Sequence, residues 1–278
     1  MVSYAQLRKR GAYEAQVPLK TLLDDVGQIL RMLDEIATRR KRIRQLAGVS
    51  FLAGVVGLIV SSVLSNGLLG FCAVVALFLG VVLFIYSFID GAGLLKGRDR
   101  VAIMKDLSEK LQPDADPQSL FSVRLALKGA PKLIRTEPLL TRTNGKQHLL
   151  EEDFLSLEGK LRDGTLLTET VKELTRKRTF VNSRRKSKTK IRHRYLATLR
   201  FAYPDRIYGD ARPACEALHE EIRLPGFATL RGTRVTEKAI VVKAMVAGKG
   251  DLAQTAAMLS LGAYRILNLA RRFAAGTS

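Results

Sequence analysis

The 278-residue chain has no tryptophan, two cysteines, three histidines and only 6% aromatic residues. Each scarcity removes a class of function. Cys72 lies inside an apolar run and Cys215 in a polar segment, so a disulfide framework is excluded. His148, His193 and His219 are scattered, and only Cys215 and His219 fall at helical spacing. Two such ligands fall short of a zinc site, which takes three or four. Glu216, Glu220 and Glu221 flank them with no partner group for acid–base work. Gly91 and Gly93 before Lys96-Gly97 miss the dinucleotide spacing, Gly248-Lys249-Gly250 lacks a phosphate-loop pattern, and Gly-x-Ser-x-Gly does not occur. No catalytic residue, metal ligand or cofactor site is marked out, and the expectation is a protein that is not an enzyme.

Acid is also scarce. There are 26 Asp+Glu against 46 Lys+Arg, giving a net charge of +20, a pI near 10.3 and a mean hydropathy of +0.04. That neutral average conceals a segment with no charge at all: the 44 residues from Leu46 to Ile89 contain no Asp, Glu, Lys or Arg. A spanning helix takes about 20 apolar residues. The run holds two, Leu46–Leu64 and Leu68–Ile89, broken by the turn signal Ser65-Asn66-Gly67. A membrane hairpin of two transmembrane helices is the expectation. A secretory signal is not, because the run lies 45 residues into the chain and is too long.

Basic residues set the expected orientation. Arg39, Arg40, Lys41, Arg42 and Arg44 precede the first span, Lys96, Arg98 and Arg100 follow the second, and the turn between them is uncharged. Both termini are expected on the cytoplasmic side, with the basic run also in contact with anionic lipid, and a bacterial plasma membrane as the setting. Small residues recur every four positions, Ala53, Gly57 and Ser61 on the first span and Cys72, Ala76 and Gly80 on the second. Such stripes let helices pack closely in lipid, within one hairpin or in a homo-oligomer. With no ionisable residue in mid-span, an ion pathway has no support.

Four regions follow. Residues 1–45 read as a cytosolic amphipathic helix opened by Pro18, with Leu19, Leu22, Val26, Ile29, Leu33 and Ile36 on one stripe, and then the basic run. Residues 46–89 are the hairpin. Residues 90–118 read as a juxtamembrane helix, Leu94–Leu111, and a linker with Pro113 and Pro117. Residues 119–278 read as a cytosolic α+β domain with a mostly antiparallel sheet, because strand patterns come before helix patterns. Alternation marks Leu120–Leu127 and Phe154–Leu161; Asp163-Gly164 marks a hairpin turn. Runs through Val181 and from Ile191 to Tyr203 then predict a long two-stranded β-ribbon whose far half projects beyond the core. Ala211–Ile222 and Asp251–Phe273 read as helices around the strand pair Thr229–Val235 and Ala239–Val246.

The ribbon tip is the sharpest local anomaly. Arg176, Lys177, Arg178, Arg184, Arg185, Lys186, Lys188, Lys190, Arg192 and Arg194 fall within 19 residues that contain no acid. Mutual repulsion at this density requires a solvated, mobile tip or an anionic partner. Lipid head groups, nucleic acid and an acidic protein all fit; His193 and Tyr195 are the rings available for base stacking. The reading is a membrane-anchored, non-enzymatic binding or scaffold protein whose basic domain engages an anionic partner. A signal-gated oligomeric membrane effector or pore former with a cytosolic sensing domain is the alternative.

Overall fold

The computed structural model describes residues 7, 9–64, 67–89, 92–139, 145–181, 186–218, 222–248 and 250–276. The chain forms β1 (Ala12–Pro18), α1 (Leu19–Leu64), α2 (Gly67–Ile89), α3 (Ala92–Leu95), α4 (Arg98–Leu111), β2 (Leu120–Ala126), β3 (Lys132–Pro138), β4 (Lys146–Lys160), β5 (Leu166–Val181), β6 (Ser187–Ala202), α5 (Asp205–Tyr208), α6 (Arg212–Leu218), β7 (Ala228–Val235), β8 (Ala239–Ala247) and α7 (Leu252–Gly276). All strand pairs are antiparallel, in an open eight-stranded sheet ordered β1-β2-β4-β5-β6-β8-β7 with β3 also paired to β4.

Two helices are long and apolar enough to cross a membrane. The first is the far half of α1, which runs unbroken through the basic residues for 46 residues, about 69 Å at 1.5 Å per residue. Its first half is amphipathic: Leu19, Leu22, Val26, Ile29 and Leu33, three or four residues apart, are buried in the sheet domain. Its second half pairs with α2. There Gly54, Gly57 and Ser61 face Ala73, Leu77 and Gly70, and Gly80 lies against the backbone of Ala47 and Phe51. Arg40 Nε donates to the Ser87 carbonyl at 2.6 Å, so a cation sits at the C-terminal end of α2, where the helix dipole favours it.

The sheet has one covered and one open face. Phe121, Val123 and Leu125 of β2, Leu167 and Val171 of β5, and Leu199 and Phe201 of β6 point into the core. They meet Val101, Met104 and Leu107 of α4 and the Leu252–Ala270 stripe of α7. Ser122, Arg124, Glu158, Arg200 and Lys243 alternate with these positions and are exposed. Two glycines permit close approach. A Cβ on Gly97 would stand 2.7 Å from the Leu127 carbonyl, and one on Gly159 would run into the Phe121 ring. Gly159→Ala is expected to lower stability by about 1–3 kcal/mol or more through overpacking, measured as a denaturation midpoint of the reconstituted protein.

Several local expectations change. The N-terminal arm contributes an edge strand as well as a helix: β1 pairs with β2, and Tyr13 donates to Asp25 of α1 at 2.8 Å. The arm is therefore part of the sheet domain. The helix expected over Leu94–Leu111 is divided into α3 and α4 by Lys96-Gly97, where the chain turns onto Leu127. The expected two-stranded ribbon is wider. β4 accompanies β5 from Lys160↔Leu166 to Lys146↔Thr179, and β3 flanks β4, so the projecting part has four strands.

Candidate functional site in the basic sheet extension

Beyond the helix-covered core, β5 and β6 continue in unbroken register to Val181↔Ser187. Residues directly opposite share a face, so the register sorts the basic cluster. Arg176, Arg178, Lys188, Lys190, Arg192 and Arg194 all point to the open face, while Lys177 points to the other. Arg176 stands opposite Arg192, and Arg178 opposite Lys190. Like charges in direct opposition destabilise a strand pair. Among the described residues none of these six forms an ion pair; Arg178 donates to Gln147 at 2.7 Å, and Lys190 lies 6.0 Å over the Phe180 ring. Lys186 precedes β6 and is exposed; Arg184 and Arg185 lie outside the described residues. Two acids of this face sit toward the core, where Glu151 and Asp153 pair with Lys172 at 2.6 and 3.2 Å; a third, Glu137 of β3, lies farther out, paired with Arg135 at 3.0 Å and accepting from Gln147 at 3.1 Å. On β5 and β6 the far part of the face therefore carries six cations and no acid, and Glu137 on β3 is balanced by Arg135.

The extension is held at its root. Arg100 of α4 donates to Glu152 through both terminal nitrogens (2.7 and 2.8 Å), to Glu173 at 2.7 Å and to the Ala126 carbonyl at 3.0 Å. Its guanidinium also lies 4.9 Å over the Phe154 ring, which meets Tyr195 edge-on. Arg100, Glu152 and Glu173 are all nearly buried. Burial opposes the Arg100 charge, but the hydrogen bonds and charges of the two glutamates outweigh it, and its proton is held more tightly than usual. Glu173 also lies 2.7 Å from His193 Nδ1. Burial and the Glu173 charge push the Tyr195 phenol up.

Contacts along α4 give the extension its direction. At the hairpin end, Arg98 pairs with Asp34 of α1 at 2.7 Å and Arg100 reaches Glu173 of β5. At the other end, Leu107, Leu111 and Asp114 border Glu169, and Ala115 bridges Leu161, before β5 begins. β5 therefore runs from the far end of the domain back toward the hairpin. From Glu173 to Val181 it covers about 26 Å. From Asp34 to Leu46, where the charge-free segment starts, α1 covers about 18 Å. The part of β5 beyond Glu173 and the part of α1 between Asp34 and the charge-free segment are thus of similar order in length.

The other expected positions fall as follows. Arg39, Lys41, Arg42 and Arg44 are exposed on α1 and Arg40 is half-buried. Arg40, Lys41 and Arg44 line a groove of about 420 Å³ with Ala37, Gln45 and Leu95. Gly57, Ser61 and Gly80 lie in the hairpin seam and Ala76 is half-buried beside it, but Ala53 and Cys72 face outward. The seam takes Gly54 and Ala73, one residue along on each helix. Cys215 is buried with its thiol pushed up by burial, and His219 lies outside the described residues. Among the described residues no three metal-type ligands converge. The Arg100–Glu152–Glu173 cluster went unseen in the sequence, as did Glu169, although the inward phase Leu167, Glu169, Val171 carries its signal. No family model matches the chain, and neither a curated protein nor a solved structure matches it.

Proposed function

We propose that the chain is a non-enzymatic, membrane-anchored scaffold whose sheet extension docks on the anionic head groups of the membrane that holds its hairpin. In this reading the hairpin spans the bilayer, and the sequence on either side of it lies in the cytosol. The observation that supports this reading is the register of β5 and β6, which gathers six cations on one uncovered face of the extension, beyond the Arg100–Glu173 contact that ties its root to the helix leaving the hairpin. The basic run on α1 and the groove between Arg40, Arg44 and Leu95 adjoin the start of the hairpin and add cations there. Nucleic acid is less well served: His193 and Tyr195, the rings suited to stacking, lie on the opposite face of β6 from the cations. Because α1 is one helix, buried in the domain at Leu22, Val26 and Ile29, the anchor and the extension are mechanically linked.

The absence of tryptophan supplies the test. Val181→Trp places a single indole at an exposed position at the end of β5, on the face away from the six cations, so its quenching reports the approach of the tip itself to the lipid. The full chain is reconstituted in nanodiscs containing brominated lipid, either neutral or mixed with anionic lipid. Quenching is expected in anionic discs, weakening as salt is raised. Equal and salt-independent fluorescence in both discs would refute docking, and protection by added oligonucleotide without lipid quenching would point to nucleic acid instead.

A further inference from the structure

Glu169 stands at the centre of the sheet, paired with Leu157 on β4 and Leu199 on β6, on the face covered by α4 and α7. It is 1% exposed, and its Oε1 has no hydrogen-bond partner among the described residues. A buried polar atom left unpaired costs free energy that a leucine in this inward position would not. The carboxyl borders a cavity of about 380 Å³. Leu107 and Leu111 of α4 and Ala253, Ala256, Ala257 and Leu261 of α7 supply its apolar walls. The cavity lies between α4 and α7, where α7 presents three alanines to the space above Glu169. Its volume is in the range of small-molecule sites, and apolar walls with a small number of polar groups are their usual make-up.

We propose that this cavity binds a small amine with an apolar body, its ammonium group paired with the Glu169 carboxylate. The charges around it favour a cation over an anion. Asp114 stands beside α4 as a second acid, and the single base, Lys110, is exposed and forms no ion pair with Glu169. Tyr264 is the only other titratable group in the lining, and burial with nearby Asp163 pushes its phenol up, so it stays neutral. Ser260 already donates to the Ala256 carbonyl at 2.9 Å. On β4 and β6 the groups flanking Glu169 are leucines. Burial pushes the Glu169 carboxyl up to about 8, so at neutral pH it is protonated and must release that proton to pair with an ammonium.

The test uses the full chain in nanodiscs and three probes sharing one apolar body: phenethylamine, 2-phenylethanol and phenylacetate, with empty discs subtracted. Phenethylamine is expected to bind tightest, its affinity rising about tenfold per pH unit from pH 6 to about 8 and then levelling. The alcohol is expected to show no such slope. Glu169→Gln should weaken the amine at least tenfold and flatten its profile. Ala257→Phe, which fills the cavity and keeps the carboxyl, should also remove binding. No amine binding, equal binding of all three probes, or an amine profile without slope in the unmodified protein would overturn the proposal; so would amine binding unchanged by both substitutions.

Discussion

Replacing Lys188, Lys190, Arg192 and Arg194 together with glutamine is expected to weaken head-group docking about a thousandfold and leave the fold as stable as before, or slightly more so. Each basic residue close to an anionic membrane surface contributes about 1 kcal/mol, so four contribute about 4 kcal/mol, and 1.4 kcal/mol corresponds to tenfold. All four side chains are exposed on β6. Two of them face like charges across the strand pair, Lys190 opposite Arg178 and Arg192 opposite Arg176. Their loss relieves a repulsion of a few tenths of a kcal/mol to about 1 kcal/mol per pair. Docking is read from the Val181→Trp quenching, and stability from a denaturation midpoint in the same discs. A large fall in stability with docking intact would mean that these side chains serve the fold and not the interface.

Arg100→Ala is expected to destabilise the sheet domain by about 3–5 kcal/mol, the usual cost of removing one partner from a buried ion pair. A domain's whole stability is only about 5–15 kcal/mol, so the midpoint should fall far. The cost arises from what is left behind: Glu152 and Glu173 would remain buried with their shared cation gone. Arg100→Lys is expected to recover part of the loss, because one ammonium cannot reproduce the fork that holds both Glu152 oxygens. Arg100→Met combined with Glu152→Gln and Glu173→Gln is expected to recover most of it, since replacing a whole buried ion network is often close to neutral. A single substitution that costs less than about 1 kcal/mol, the scale of an exposed pair, would show the cluster to be solvated.

The elements that were legible in the sequence are those in which one physical requirement governs a long run. The apolar helices follow from Leu46–Ile89, and β5, β6 and α7 from sustained alternation or three- and four-residue spacing. The first half of β4 was illegible for a specific reason. A bulge between Asp153 and Leu155 reverses the phase of the alternation, so Glu152 and Leu155 share a face although they are three residues apart. Before that bulge, Glu151, Glu152 and Asp153 are three consecutive acids with no alternation to mark a strand. β1 and β3 are short edge strands: the partner of β1 is distant in the chain, and β3, although it pairs with its neighbour β4, is exposed along almost its whole length and so has no alternating apolar pattern. The basic cluster was plain as composition, but its division between faces depends on register with β6, which composition does not carry.

The sequence by itself determined that the chain holds two charge-free helices, an antiparallel sheet and one concentrated run of cations, because hydropathy and charge are local properties. The tertiary structure alone decided three things. It widened the ribbon to four strands, it set six cations on the uncovered face, and it buried Glu169 with one carboxylate oxygen unpartnered among the described residues. Each depends on which distant segments lie side by side, and that is settled by pairing register and by packing between residues far apart in the chain.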